Sequence, residues 1–322
     1  MATTTPFTDI PGQLAILRGR GMSADTKLAS QWLSSVGDYR LSGYWYTYRG
    51  HHADGTPTDQ FLPNTSLADV TMLYEFDRKL RTLIHDAIEH VEIGVRSHVS
   101  YHLGSSDPLA HENSVLFRPS FDHSRWIDVA RRRIARARVH SEPIRHHLSR
   151  YSGSVPIWVL TEVLDFADIS KLYEGMHSRD QWAIANRLGV TIDLSTLSKN
   201  QQQRAKKEHP LARWLEHLSI LRNSIAHHAR VWNRSFTPAP TAALRTIPTL
   251  SSLPRGQSEQ LYGALALLAH LLGGLAPGST WNLTVHSLVE DEFEHIEGRT
   301  TSEMGFPSDW KHYDQWSMRC GD

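Results

Sequence analysis

Leu221-Arg222-Asn223-Ser224-Ile225-Ala226-His227-His228-Ala229-Arg230-Val231-Trp232-Asn233-Arg234 gathers two histidines, three arginines and two asparagines into one short segment that also carries helical apolar spacing. At about 100° per residue, Trp214, Leu218, Leu221, Ile225 and Trp232 fall on one stripe, the face a buried helix needs. Asn223, His227, Arg230 and Arg234 fall on a second stripe nearly opposite, with Arg222 on the flank between them. The spacing predicts a helix from about Pro210 to Arg230, with His227 turned from the core toward solvent, a cleft or a partner subunit. So many polar groups are costly on a helix that must also pack, which directs attention to their chemistry.

Outward from this segment the pattern is helical throughout. Ser66 and Asp69 are placed as a capping box before Val70, Leu73, Phe76, Leu80, Leu83, Ile84, Ala87 and Val91, predicting one long helix to Gly104. Further helices are predicted at Asp25 to Val36, Asp122 to Leu148 with a kink at Pro143, Pro156 to Met176, Arg179 to Leu188, and Ser258 to Leu272. His51 to Thr58 reads as a loop, and no segment shows sustained strand alternation. The fold class is therefore all-α, an elaborated bundle. Three regions are expected: an N-terminal helical extension at 1–65, a helical domain at 66–275, and a tail at 276–322 packed through Phe306, Trp310, Tyr313 and Trp316.

Composition narrows the function classes. Thirty-four basic and thirty-four acidic side chains leave no global field toward a polyanion, so nucleic-acid contact must come from local patches. The densest is Arg131, Arg132, Arg133, Arg136 and Arg138, followed by Arg145-His146-His147 and Arg150, read as phosphate-binding or as a solvated helix face. One cysteine, Cys320, permits no intrachain disulfide, and the start lacks the regions of a secretory signal. Leu261 to Pro277 is too short and too interrupted to span a bilayer; a cytoplasmic protein with no membrane partner is expected. There is no P-loop and no GxGxxG. His98 and His102 have ligand spacing without the glutamate of HExxH, and His85-Asp86 stands alone as the core of an HD phosphohydrolase, so no metal or cofactor is expected.

Arginine, asparagine and histidine within about a turn and a half suit attack on a phosphodiester. RNA brings its own nucleophile, the 2′-hydroxyl. Imidazole serves as base or acid near neutrality, and a guanidinium stabilises charge on the phosphorus oxygens. Asn223 is placed to hold the imidazole or a phosphate oxygen, and no metal is required. One subunit supplies few such groups; a two-fold dimer pairing the polar faces supplies two sets in one cleft. Glu92 and Arg96, one turn apart, suit an internal ion pair better than catalysis, and Glu162 is a candidate to orient His227 or Arg222.

The run Arg222 to Arg234 resembles the signature of the Abi-like family of bacterial abortive-infection proteins, of the AbiD/AbiF type, within the HEPN superfamily of all-helical ribonucleases. Arg222, Asn223 and His227 match its pattern of arginine, polar residue, then histidine. Gly12 to Met22, Gly37 to Trp45, Leu73 to Arg81, Val91 to Ser97, Trp158 to Tyr173 and Met304 to Trp310 are similar as well, so the likeness covers nearly the whole chain. Ala167 replaces an expected glycine and Val231 an expected leucine. The resemblance implies a HEPN-type bundle with extra N-terminal helices, and a metal-independent endoribonuclease toxin of phage defence. It implies a homodimer, RNA as target, and a small structured non-coding RNA as a further partner. Arg222, Asn223 and His227 are then catalytic, with His228, Arg230, Glu92, Arg96 and Glu162 in support. The alternative is a non-catalytic module that holds RNA through Arg131 to Arg138.

Overall fold

Two aspartates cap the first helices of the computed structural model, which describes residues 6–317. Asp9 accepts from Gly12 N at the start of α1 (Ile10–Gly19), and Asp25 from Leu28 N at the start of α2 (Thr26–Ser35). Helix α3 (Asp38–Trp45) follows, then an antiparallel pair, β1 (Arg49–His51) and β2 (Pro57–Phe61), in register Arg49↔Phe61 and His51↔Pro57. The segment expected as a loop at His51 to Thr58 thus contributes both strand ends; such short strands leave no readable alternation. Ser66 accepts from Asp69 N at 3.1 Å and donates to its carboxylate at 2.6 Å, opening the long helix α4 (Leu67–Gly104).

The chain forms two compact units. One takes the residues through Arg81 and returns for Ser287–Thr301. Within it Asp77 is fully buried on α4, where Tyr44 donates to it at 2.7 Å and Arg81 pairs with it. Burial, reinforced by the Asp77 charge, holds the Tyr44 phenol un-ionised far above its ordinary range. Phe76 and Phe293 meet at 4.7 Å between ring centroids.

The second unit takes Thr82–His286 and the residues from Ser302. The helix expected from Asp122 to Leu148 is two: α5 (His123–Ala137) and α6 (Glu142–Arg150). The break precedes Pro143, which sits in the first turn of α6, where its missing N–H has no helical partner to lose. The helix expected from Pro156 to Met176 is also broken, into α7 (Ile157–Leu160), one 3₁₀ turn (Thr161–Val163) and α8 (Phe166–Gly175). Asp165 and Asp168 form a capping box at the start of α8. Then come α9 (Ser178–Arg187), α10 (Lys199–Lys207), α11 (Leu211–Ala226), the paired β3 (Ala239–Pro240) and β4 (Gln257–Ser258), α12 (Leu261–Leu275) and α13 (Trp281–Leu288). Thirteen α-helices and two small sheets among the described residues make the protein all-α, as the periodicity predicts.

Helix α11 is the core element. Leu211, Trp214, Leu215, Leu218, Leu221 and Ile225 are buried, and α8 and α12 pack against it. His209 fixes its start: Nδ1 accepts from Leu211 N at 3.1 Å, and its ring stands perpendicular to Trp182 at 4.6 Å. His217 Nδ1 donates to Thr237 O, and Trp214 Nε1 to Pro240 O. Gly263 lets α12 approach, since a Cβ there would lie 2.9 Å from the Trp214 ring. Phe306 and Trp316 bury against Tyr262 of α12. No helix among the described residues is long and apolar enough to cross a membrane. Cys320 and the N-terminal residues before Pro6 lie outside the described residues.

Burial pushes His209 and His111 down to about 4, His123 adding to the effect at His111. Unfolded imidazoles take up protons near the ordinary 6.5, the folded ones only near 4. Between those values the unfolded state binds more protons, so stability is complete above 6.5 and is lost as pH falls. The thermal midpoint should decline steadily across this window, His209 alone accounting for about 3 kcal/mol. A midpoint flat down to pH 4.5 would contradict that assignment.

Candidate active site

Helix α11 stops where the polar run begins. Ala226 is its last helical residue and His227 its C-cap. His228 N donates to Ile225 O at 2.8 Å and Ala229 N to Ser224 O at 2.9 Å, the paired bonds of a Schellman ending. The pivot is His228, left-handed at φ 55°, a position glycine usually fills. The predicted continuation to Arg230 is therefore corrected. Arg230 and Arg234 do not extend the His227 stripe; their guanidiniums stand over the rings of Trp232 and Phe236, at 5.7 and 5.5 Å, in the loop that follows. Trp232 is buried as expected, but it reaches the core from that loop.

This ending presents Asn223 and His227 at the surface, one turn apart and both exposed, with His228 exposed beside them. His227 N donates to Asn223 O at 3.1 Å, which fixes their spacing through the backbone. Arg222, half-buried, lines a cleft of about 390 Å³ with His85, Glu89, Glu92, Arg96 and Glu162. Asn223 and His227 do not line that cleft.

The cleft has a rigid floor. Asp165 N donates to the Asp168 carboxylate at 3.0 Å, so the Thr161 carbonyl loses the partner a continuous helix would have given it. Arg96 supplies the replacement, donating Nη1 to Thr161 O at 2.5 Å and Nη2 to Leu164 O at 2.7 Å. Glu92 pairs with Arg96 through one oxygen and approaches Arg222 Nε at 3.8 Å with the other. Arg96 is thus tied down on three acceptors. Arg222 keeps the remainder of its guanidinium open, with no other ion pair among the described residues. Glu162 lies exposed in the same cleft and makes no ion pair among the described residues.

His85 and Glu89 were not read as neighbours of Arg222 in the sequence. The signal was there: His85, Glu89, Glu92 and Arg96 recur at i, i+4, i+7 and i+11 on one face of α4. His102 lies 3.1 Å from Asp180, and no three His, Cys, Asp or Glu side chains among the described residues are grouped to hold a metal. The basic run divides. Arg133 is drawn onto Asp165 and Asp168, completing the α8 cap, while Arg131, Arg132, Arg136 and Arg138 are exposed on and just beyond α5.

A family model described as Abi-like protein matches residues 31–233, a span that holds the cleft, all of α11 and the polar run through Asn233. No curated protein and no solved structure matches the chain.

Removing Arg96 strands two carbonyls and a carboxylate, so Arg96→Ala should lose about 3 kcal/mol in chemical denaturation. Arg222→Ala, breaking one long and partly solvated pair, should lose under about 1 kcal/mol. His228→Gly relieves the left-handed backbone and should gain about 0.5–1 kcal/mol. A loss there would show that the imidazole's contacts outweigh the backbone strain.

Proposed function

The chain belongs to the Abi-like protein family, and on that premise we propose that it is a metal-independent endoribonuclease of an abortive-infection defence system, acting through Arg222, Asn223 and His227. The observation that carries this reading is the ending of α11: a helix buried along its length releases an asparagine and a histidine to solvent at its last turn, beside an arginine whose guanidinium opens on a cleft.

In this mechanism His227 takes the proton of an RNA 2′-hydroxyl. The freed oxygen attacks the adjacent phosphorus, and the bond to the 5′-oxygen breaks. A second imidazole, from a two-fold-related copy of the chain, returns a proton to that leaving oxygen. The products are a 2′,3′-cyclic phosphate and a 5′-hydroxyl. Arg222 stabilises the charge that builds on the non-bridging oxygens, and Glu92 holds its Nε edge so that the free edge faces the substrate. Asn223 orients the phosphate or the imidazole. Arg96 supports the floor without touching substrate, and His228 is a neighbouring proton carrier. Arg230, stacked over Trp232, shapes the loop beyond the site.

The second reading, a module that holds RNA and cuts nothing, draws on the exposed arginines of α5. The two separate in one assay. Purified protein should cut RNA in EDTA and leave cyclic-phosphate ends. His227→Ala and Arg222→Ala should each slow cleavage by roughly 10²–10⁴-fold with fold and oligomeric state intact. Wild-type rates in His227→Ala would remove this residue from the mechanism, and binding without cleavage by the parent would favour the module.

A further inference from the structure

Between His123 and Tyr151 eight arginines face only two carboxylates, Asp128 and Glu142, in a chain whose total charges balance. Arg131 lies 3.7 Å from Asp128, and Arg133 is held by Asp165 and Asp168. Arg125, Arg132, Arg136, Arg138 and Arg150 are all exposed and make no ion pair among the described residues. Their placement is ordered. Arg125, Arg132 and Arg136 stand at i, i+7 and i+11 on α5, within about 20° of one line and over about 16 Å of helix. Elsewhere in this unit Arg118 pairs with Glu208, and Arg213 with Glu174, Glu208 and Glu216.

Three rings close the end of α6. His147 and Tyr151 lie 5.2 Å apart and are tilted by 30°, and His146 meets both at 5.4 and 5.8 Å. His147 Nδ1 donates to Pro143 O at 2.9 Å, which fixes its ring. Tyr151 is 54% exposed at the C-cap, and the chain turns away through Ser152 and Gly153, both left-handed. Here His146 and Tyr151 stay exposed, and Arg150, next to Tyr151 in the chain, makes no ion pair among the described residues.

A single strand of nucleic acid asks for that pair of features. Its unpaired bases have free faces for stacking, and its phosphates seek unpaired arginines. A duplex offers the phosphates but keeps its bases stacked on one another. We propose that the consecutive helices α5 and α6 form the docking surface for single-stranded RNA, His147 and Tyr151 stacking on bases while Arg125, Arg132, Arg136 and Arg150 hold the backbone. This rests on the reading of RNA as substrate and adds the strand form that is recognised and the residues that recognise it.

The test uses the full chain carrying His227→Ala, so that RNA survives, and a fluorescein-labelled 12-nucleotide RNA, alone or annealed to its complement. Anisotropy is followed across a salt series. The single strand should bind more tightly than the duplex. Tyr151→Ala should weaken single-strand binding roughly ten-fold, and Tyr151→Phe should restore it. Replacing Arg132 and Arg136 together by alanine should reduce the slope of log K against log salt by about 1.4. Unchanged binding in a folded Tyr151→Ala protein overturns the proposal, as does equal affinity for duplex. If the protein with His227 intact cuts nothing while Tyr151→Ala still weakens binding, the cleavage reading falls and the docking surface stands. If it cuts and the Tyr151 and arginine variants bind like the parent, the docking surface falls and cleavage stands.

Discussion

Arg96 answers a backbone problem that the sequence sets at Asp165. That aspartate starts α8 afresh and gives its own N–H to Asp168, leaving the Thr161 and Leu164 carbonyls without helical donors. Each such group, buried and unmet, would cost about 1–3 kcal/mol. Arg96 meets both from α4, and Glu92 meets the charge that this brings into a mostly buried place. The same carboxylate then has its second oxygen beside Arg222. A broken helix, a buried ion pair and the placement of the proposed reactive arginine are therefore one arrangement, built on three elements distant in the chain.

Helix α11 contributes the other constraint. Its apolar face is buried from Leu211 to Ile225, so its position is set by packing. Its exposed groups are set by where it ends. A Schellman ending pivoting on His228 lifts the chain off the helix axis one residue past His227. Had the helix run on, Arg230 and Arg234 would have joined the His227 stripe. Instead they stack on Trp232 and Phe236 in the loop. The polar cluster that looks uniform along the sequence divides into a surface pair, an arginine in a cleft, and two arginines held on rings.

The arginines as a class show how one residue type takes several roles. Arg96 satisfies carbonyls, Arg81 pairs with a buried aspartate, Arg133 completes a helix cap, and Arg222 keeps part of its guanidinium free. Composition alone treats them alike, and the balanced net charge hides the local excess on α5 and α6. Sorting them requires knowing which carboxylates and carbonyls stand within reach, and those come from other elements.

What the sequence determined by itself is what depends on neighbours three or four residues away. Helical periodicity gave the all-α class, the full extent of α4 with its Ser66–Asp69 cap, and the buried face of α11, because those signals are local. The polar run was legible for the same reason. Two kinds of fact were not. The break at 161–165 and the end at His227 lack the glycine or proline that usually marks them; a capping box and a left-handed histidine do the work instead. The joining of His85, Glu89, Glu92, Arg96, Glu162 and Arg222 in one cleft belongs to tertiary structure. Packing of the apolar faces decides which helices meet, and only then do charges far apart in the chain come within ångströms of one another.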